Sequence, residues 1–152
     1  MTMAELYIIR FVFLLSAFLS LPVVGEPLLE NYYWRATSIG GEKLRLAAAQ
    51  IPHIAFHKQE NRVAGFGGCN RFFATYGQDG MNLTISIMGG GRANCAETSQ
   101  LEQQFLQSLQ RTQTYKIEES TLYLTNGAEV LGEFVGVPMC QPDPIQSLNG
   151  IT

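Results

Sequence analysis

Three thiols and two imidazoles are the side chains with the widest chemical reach in this 152-residue chain. Cys69 stands in the glycine-rich string GFGGCNRFFATYG at 65–77, Cys95 in GRANCAE at 91–97, and Cys140 in VPMCQPDPIQSLNGIT at 137–152. A redox-active dithiol usually presents C-x-x-C, and that spacing is absent. His53 and His57 have the H-x-x-x-H spacing of a metal pair, which brings two ligands together only on a helix. Pro52, Ile54 and Phe56 argue for a strand, where four residues span roughly 13 Å. The glutamate of a zincin motif is missing as well. No metal site is expected. In GFGGCN, Asn70 occupies the place of the third glycine of a dinucleotide fingerprint, and Gly89–Gly91 precede a helix without a P-loop lysine. These glycines read as points where the backbone turns or approaches a neighbour closely, and no cofactor is expected. Glu97 and Glu102 fit a helix start better than acid/base work. The acceptor pattern Asn82-Leu83-Thr84 falls inside a strand and argues little for glycosylation. No set of acids, bases and nucleophiles at catalytic spacing remains, so a non-enzyme is expected.

The elements that must position these residues are mostly strands. Aromatic and β-branched runs at 32–39, 51–57, 62–65 and 72–76 lie between Gly, Pro and polar punctuation. After GQDG, residues 81–88 alternate: Met81, Leu83, Ile85 and Ile87 point to a core, Asn82, Thr84 and Ser86 to solvent. Further strands at 115–117 and 122–124 lead to Asn126-Gly127, a pair suited to a two-residue turn, and then to 130–135. Leu101, Phe105, Leu106 and Leu109 recur at helical spacing, with Asn94/Glu97 or Ser99/Glu102 as candidate capping boxes. The expected fold is mainly β (α+β): a small antiparallel barrel or strongly curved sheet with one α-helix, since closure or coverage protects strand edges. Phe72, Tyr76, Leu83, Ile85, Phe105 and Phe134 would fill its interior. Trp34 reads as a core aromatic and Arg35 as the partner of a carboxylate or carbonyl. Asn70 and Arg71 are expected to hold the glycine turn through side-chain to backbone hydrogen bonds.

Ahead of this domain, FVFLLSAFLSLPVVG at 11–25 is uncharged and too short to span a membrane by itself. It reads as a signal peptide, residues 1–25, with small residues near the cleavage point. An exported protein of the periplasm or cell envelope is expected, membrane-anchored if the segment is not cleaved. Without Arg10 and Glu5, nine basic and twelve acidic side chains leave a net charge of about −3. With no basic cluster, nucleic acid is an unsuitable partner. Residues 28–136 are expected as one domain and 137–152, rich in proline, as an irregular tail.

Several strings together resemble the META domain family, which includes HslJ-like heat-shock proteins. They are YYWRATSIGG from Tyr32, GGCNRFFATYG from Gly67, GRANCAE from Gly91, the helix SQLEQQFLQSL, and LYLTNG from Leu122. The likeness runs from about Tyr32 to Gly136 and singles out Trp34, Gly67, Gly68, Asn70, Arg71, Phe72 and Arg92. It departs from the family where Gly91, Ala93 and Asn94 replace a Thr- and Met-rich segment, and no lipidated cysteine follows the apolar run. The resemblance implies a lipocalin-like β-barrel with one helix and an envelope role linked to stress or antibiotic tolerance. It brings no catalytic residues. Cys69 and Cys95 both lie in family strings and are expected as a disulfide, the alternative being two buried, unbonded thiols. Cys140 would then be unpaired or intermolecular. Three functions follow: a domain that binds or supports an envelope protein, a carrier of a small apolar ligand, or an inhibitor presenting the loop Gly89, Gly90, Gly91, Arg92 and Asn94 to a hydrolase.

Overall fold

The computed structural model describes residues 29–139. The expected signal peptide and Cys140 with the rest of the tail lie outside them. Nine strands and one α-helix make up the described fold: β1 (Tyr32–Ile39), β2 (Glu42–Lys43), β3 (His53–His57), β4 (Arg62–Phe66), β5 (Arg71–Asp79), β6 (Asn82–Gly90), α1 (Ser99–Arg111), β7 (Thr114–Glu118), β8 (Thr121–Thr125) and β9 (Val130–Pro138). All pairings are antiparallel, in the order β2-β1-β3-β4-β5-β6-β7-β8-β9, and β1 also pairs with β9, which returns the sheet on itself as a ring. Strand β1 makes this possible by bonding on both sides: Tyr33 faces Ala55 of β3 and Val137 of β9. Among the described residues only β2 is left at an edge, and it is two residues long.

Period-two patterning sets the faces. Along β5 and β6, Phe72, Ala74, Tyr76, Leu83 and Ile85 are buried while the intervening positions are exposed. The turn between them is tighter than GQDG suggests: Asp79 pairs with Asn82, leaving only Gly80, at φ +59°, and Met81. Met81 is therefore a turn residue, 64% exposed, and not the first core position of β6. The β8–β9 connection is longer than a two-residue turn. Thr125 pairs with Val130 across residues 126–129, with Gly127 at φ +89°. Val137 and Pro138, read from sequence as the start of the tail, extend β9 and face Tyr33 and Tyr32.

Helix α1 connects β6 to β7 and packs on β6, β9 and β1. Phe105 and Leu109 are fully buried, with Leu101 and Leu106 beside them. Neither expected capping box forms. Ser99 Oγ donates to the Cys95 carbonyl at 2.7 Å and to Asn94 Oδ1 at 2.9 Å, while Thr98, the residue at the cap, makes no side-chain cap bond. Six residues expected inside, Phe72, Tyr76, Leu83, Ile85, Phe105 and Phe134, all belong to one core with Trp34 and Phe56. Phe105 is its centre, with ring centroids 5.9 Å from Phe72 and 6.2 Å from Phe134. Each such side chain contributes roughly 1.5–3 kcal/mol by leaving water.

Candidate functional site

The strings at 67–72 and 91–97 that carry the family resemblance meet at one place, where the turn before β5 faces the loop before α1. The turn closes with a bond from the Gly67 N–H to the Asn70 carbonyl at 2.9 Å. Its outward-pointing N–H groups need an acceptor, and Glu102 of α1 supplies it. Glu102 Oε2 accepts from the backbone N–H of Asn70 at 2.6 Å and of Cys69 at 3.2 Å, and Oε1 accepts from Asn70 Nδ2 at 2.8 Å. The Asn70 carboxamide also grips the opposite loop: Nδ2 donates to the Ala93 carbonyl at 2.9 Å and Oδ1 accepts from the Ala93 N–H at 2.8 Å. Cys69 and Cys95 close the junction as a disulfide with Cα atoms 5.8 Å apart. They are half-buried and bonded, so the alternative of two unbonded buried thiols is replaced.

Two glycines are required by this geometry. A Cβ on Gly67 would lie 2.7 Å from Glu102 Cγ, and Gly68 adopts φ +107° against the Gln50 carbonyl. Chemically the junction is a clamp. Three N–H donors hold the Glu102 carboxylate as a fixed acceptor, and the disulfide sulfurs carry no titrating thiol.

The other expected site residues separate. Trp34 is fully buried and its Nε1–H donates to the Leu29 carbonyl at 2.8 Å. Phe72 points into the core. Arg71 does not join Asn70 in holding the turn; it stands on the outer face of β5 and makes no ion pair or side-chain hydrogen bond among the described residues. Arg35 likewise lacks the expected carboxylate or carbonyl partner among the described residues. Arg92 is exposed. Of the expected loop, Gly89 and Gly90 belong to β6, where they face Phe73 and Phe72, so the loop proper begins at Gly91. A depression of about 170 Å³ opens between this strand end and α1, lined among others by Asn70, Ile87, Gly90, Glu102 and Leu106.

His53 and His57 lie on β3, as their neighbours suggested, and among the described residues no three His, Cys, Asp or Glu side chains converge as a metal site. Burial pulls His53 below the usual imidazole range, with Arg71 and Arg35 acting the same way and a bond to the Ile51 carbonyl opposing. Tyr76 carries the largest displacement. Burial raises its hydroxyl far above the ordinary range, aided by the bond it donates to Glu30 Oε1 at 2.8 Å. Glu102, read from sequence as a helix-start residue, is the one whose role in the turn was missed. Its signal was faint: it follows Leu101 and precedes Phe105 and Leu106, at the rim of the helix's buried stripe.

The family model of the META domain matches residues 27–135. The chain belongs to the META domain family. Among solved structures, this META domain is similar to a DUF4847 family protein from Bacteroides vulgatus ATCC 8482, with a TM-score of 0.56, 12% identity, and 74% of this chain and 96% of that one covered. It is also similar to a protein from Burkholderia xenovorans solved by NMR, with a TM-score of 0.51, 20% identity, and 74% and 85% covered. A further NMR structure has a TM-score of 0.54 and 20% identity over 70% of this chain and 91% of that one. At these identities the likeness is one of fold. No curated protein sequence matches the chain.

Proposed function

We propose that this META domain is a non-catalytic, exported component of the cell envelope that binds or supports another envelope component, in a setting of stress or antibiotic tolerance, with its exterior. The ring of strands is taken as a lipocalin-like barrel used as a scaffold and not as a container. The observation that carries this reading is the filled interior: Trp34, Phe56, Phe105 and Phe134 are at most 1% exposed and pack in one cluster, where a carrier needs room for its ligand. The pinned junction supports it from the other side, since Asn70, Glu102 and the disulfide hold the loop from Gly91 to Asn94 in a fixed exposed position.

Two measurements test it. Intact mass of the protein from the envelope fraction, alkylated before and after reduction, should match residues 26–152 with one and then three modified thiols. A full-length mass with three free thiols overturns the export reading. Stoichiometric uptake of a fluorescent apolar probe, abolished by enlarging an inward residue such as Leu83→Trp, would overturn the exterior-binding reading in favour of a carrier.

A further inference from the structure

The strand registers place ten outward side chains in two adjacent rows across β9, β1, β3, β4 and β5. One row reads Val137, Tyr33, Ala55, Ala64, Phe73, and the next reads Val135, Arg35, His53, Phe66, Arg71. Strand neighbours stand about 4.8 Å apart, so the five strands cover roughly 20 Å of arc on the curved outer wall of the ring. It is apolar where solvent would favour polar groups. Phe73 is 57% exposed, Val135 37% and Val137 39%, and Met88, left over at the bulge beside Phe73, is 62% exposed. Single exposed apolar residues need no explanation, but a contiguous patch of this kind marks a contact surface.

The face also has relief. Ala55 and Ala64 form a low floor between Tyr33 and Phe73, within a depression of about 460 Å³. The His53 ring lies against Tyr33 on one side, with centroids 4.4 Å apart, and against Phe66 on the other at 5.6 Å. Its charge is the reverse of the molecule's. The chain carries a net charge of −3, yet these ten positions hold two arginines and a histidine and no carboxylate. Neither Arg35 nor Arg71 is ion-paired among the described residues, and both act electrostatically on Tyr33 and His53.

We propose that the outer face of β9-β1-β3-β4-β5 docks a protein partner that presents an apolar or aromatic anchor flanked by carboxylates, the anchor seating on Ala55 and Ala64 and the carboxylates reaching Arg35 and Arg71. The proposal rests on the binding reading above and names its surface and the chemistry of its partner. Charge complementarity selects this occupant. A symmetric second copy would meet this face with the same ten positions, none of which is a carboxylate, and so offers the arginines no partner. The ring leaves this region no free strand edge, so the partner binds through side chains and not by adding a strand.

The test is a selection of short random peptides displayed against the full chain, with binding of the enriched peptides then measured at low and high salt. Peptides with an aromatic or large aliphatic residue beside two or more carboxylates are expected to dominate. Arg35→Glu with Arg71→Glu should weaken them about tenfold or more, and Phe73→Ser comparably, while Arg35→Lys with Arg71→Lys should retain most of the binding. All these positions face solvent, and an unchanged melting temperature shows that each variant is folded. Enrichment of basic or neutral peptides, or no enrichment, overturns the proposal. So does binding indifferent to the charge reversal, a single-stranded oligonucleotide or anionic vesicle that competes for the face, or a dimer that dissociates on charge reversal. Failure of these arms leaves the mass and apolar-probe outcomes untouched, so the two readings fall separately.

Discussion

Glu102 holds two backbone N–H groups that have no other acceptor in the turn, so removing its carboxylate strands both. Leaving a partly buried donor unmatched costs about 1–3 kcal/mol. Glu102→Ala should therefore lower unfolding free energy by about 2 kcal/mol or more, and Asn70→Ala by a similar amount. Urea titration of both variants and their double should give a non-additive cycle, because Asn70 Nδ2 and Glu102 Oε1 bond each other. Tyr76 gives a prediction in pH. Its hydroxyl, raised by burial and by its bond to Glu30, stays protonated in the folded state when an unfolded tyrosine ionises near pH 10. The folded state then binds the extra proton, so stability falls as pH rises through and above about 10. Tyr76→Phe should flatten that alkaline limb in melting temperature. Tyr76 itself was legible as an inward strand residue, whereas its partner Glu30 lies 46 positions away, and no periodicity in β5 points to it. Glu102 was hidden for the same reason. Its position in the helix looked like a terminus effect, and the turn it serves is 32 residues upstream.

At the scale of elements, the disulfide joins the turn before β5 to the loop before α1 across 26 positions, with the β5–β6 hairpin between them. Constraining a loop of that size in the unfolded chain stabilises the fold by about 3 kcal/mol. Cys69→Ser with Cys95→Ser should lower the unfolding free energy by that amount in urea, and reductant should no longer affect the variant. Elements were readable from sequence where a single face decides, as with Leu83 and Ile85 in β6 or Phe105 and Leu109 in α1. Their ends were less so. Met81 belongs to the alternating pattern by spacing, yet the pairing of Asp79 with Asn82 places it in the turn. The helix start was misread because Ser99 turns its hydroxyl back to Cys95 and Asn94, and Glu102 is drawn away to the Gly67–Asn70 turn.

For the whole molecule, the seam between β6 and β7 is the thinnest part of the ring. One residue pair, Asn82 with Thr114, spans it, supported by bonds from Leu83 N–H to the Gln113 carbonyl and from Tyr115 N–H to the Met81 carbonyl. Local opening follows the weakest cooperative unit, so the amides of Leu83 and Tyr115 should exchange with solvent faster than that of Phe134, which sits between Leu122 of β8 and Ala36 of β1. Protection at Leu83 equal to that at Phe134 would contradict this. The sequence pattern told which residues face inward but not which strands are neighbours, because period two fixes a face and leaves pairing open. The β1–β9 pairing, between strands that begin about a hundred residues apart, was thus invisible from sequence. That pairing sets Tyr32 opposite Pro138, so the polypeptide enters and leaves the sheet at one corner. The two ends of the sheet are therefore neighbours, and an occupant of the outer face at its Val137–Tyr33 row lies beside the place where the polypeptide enters and leaves.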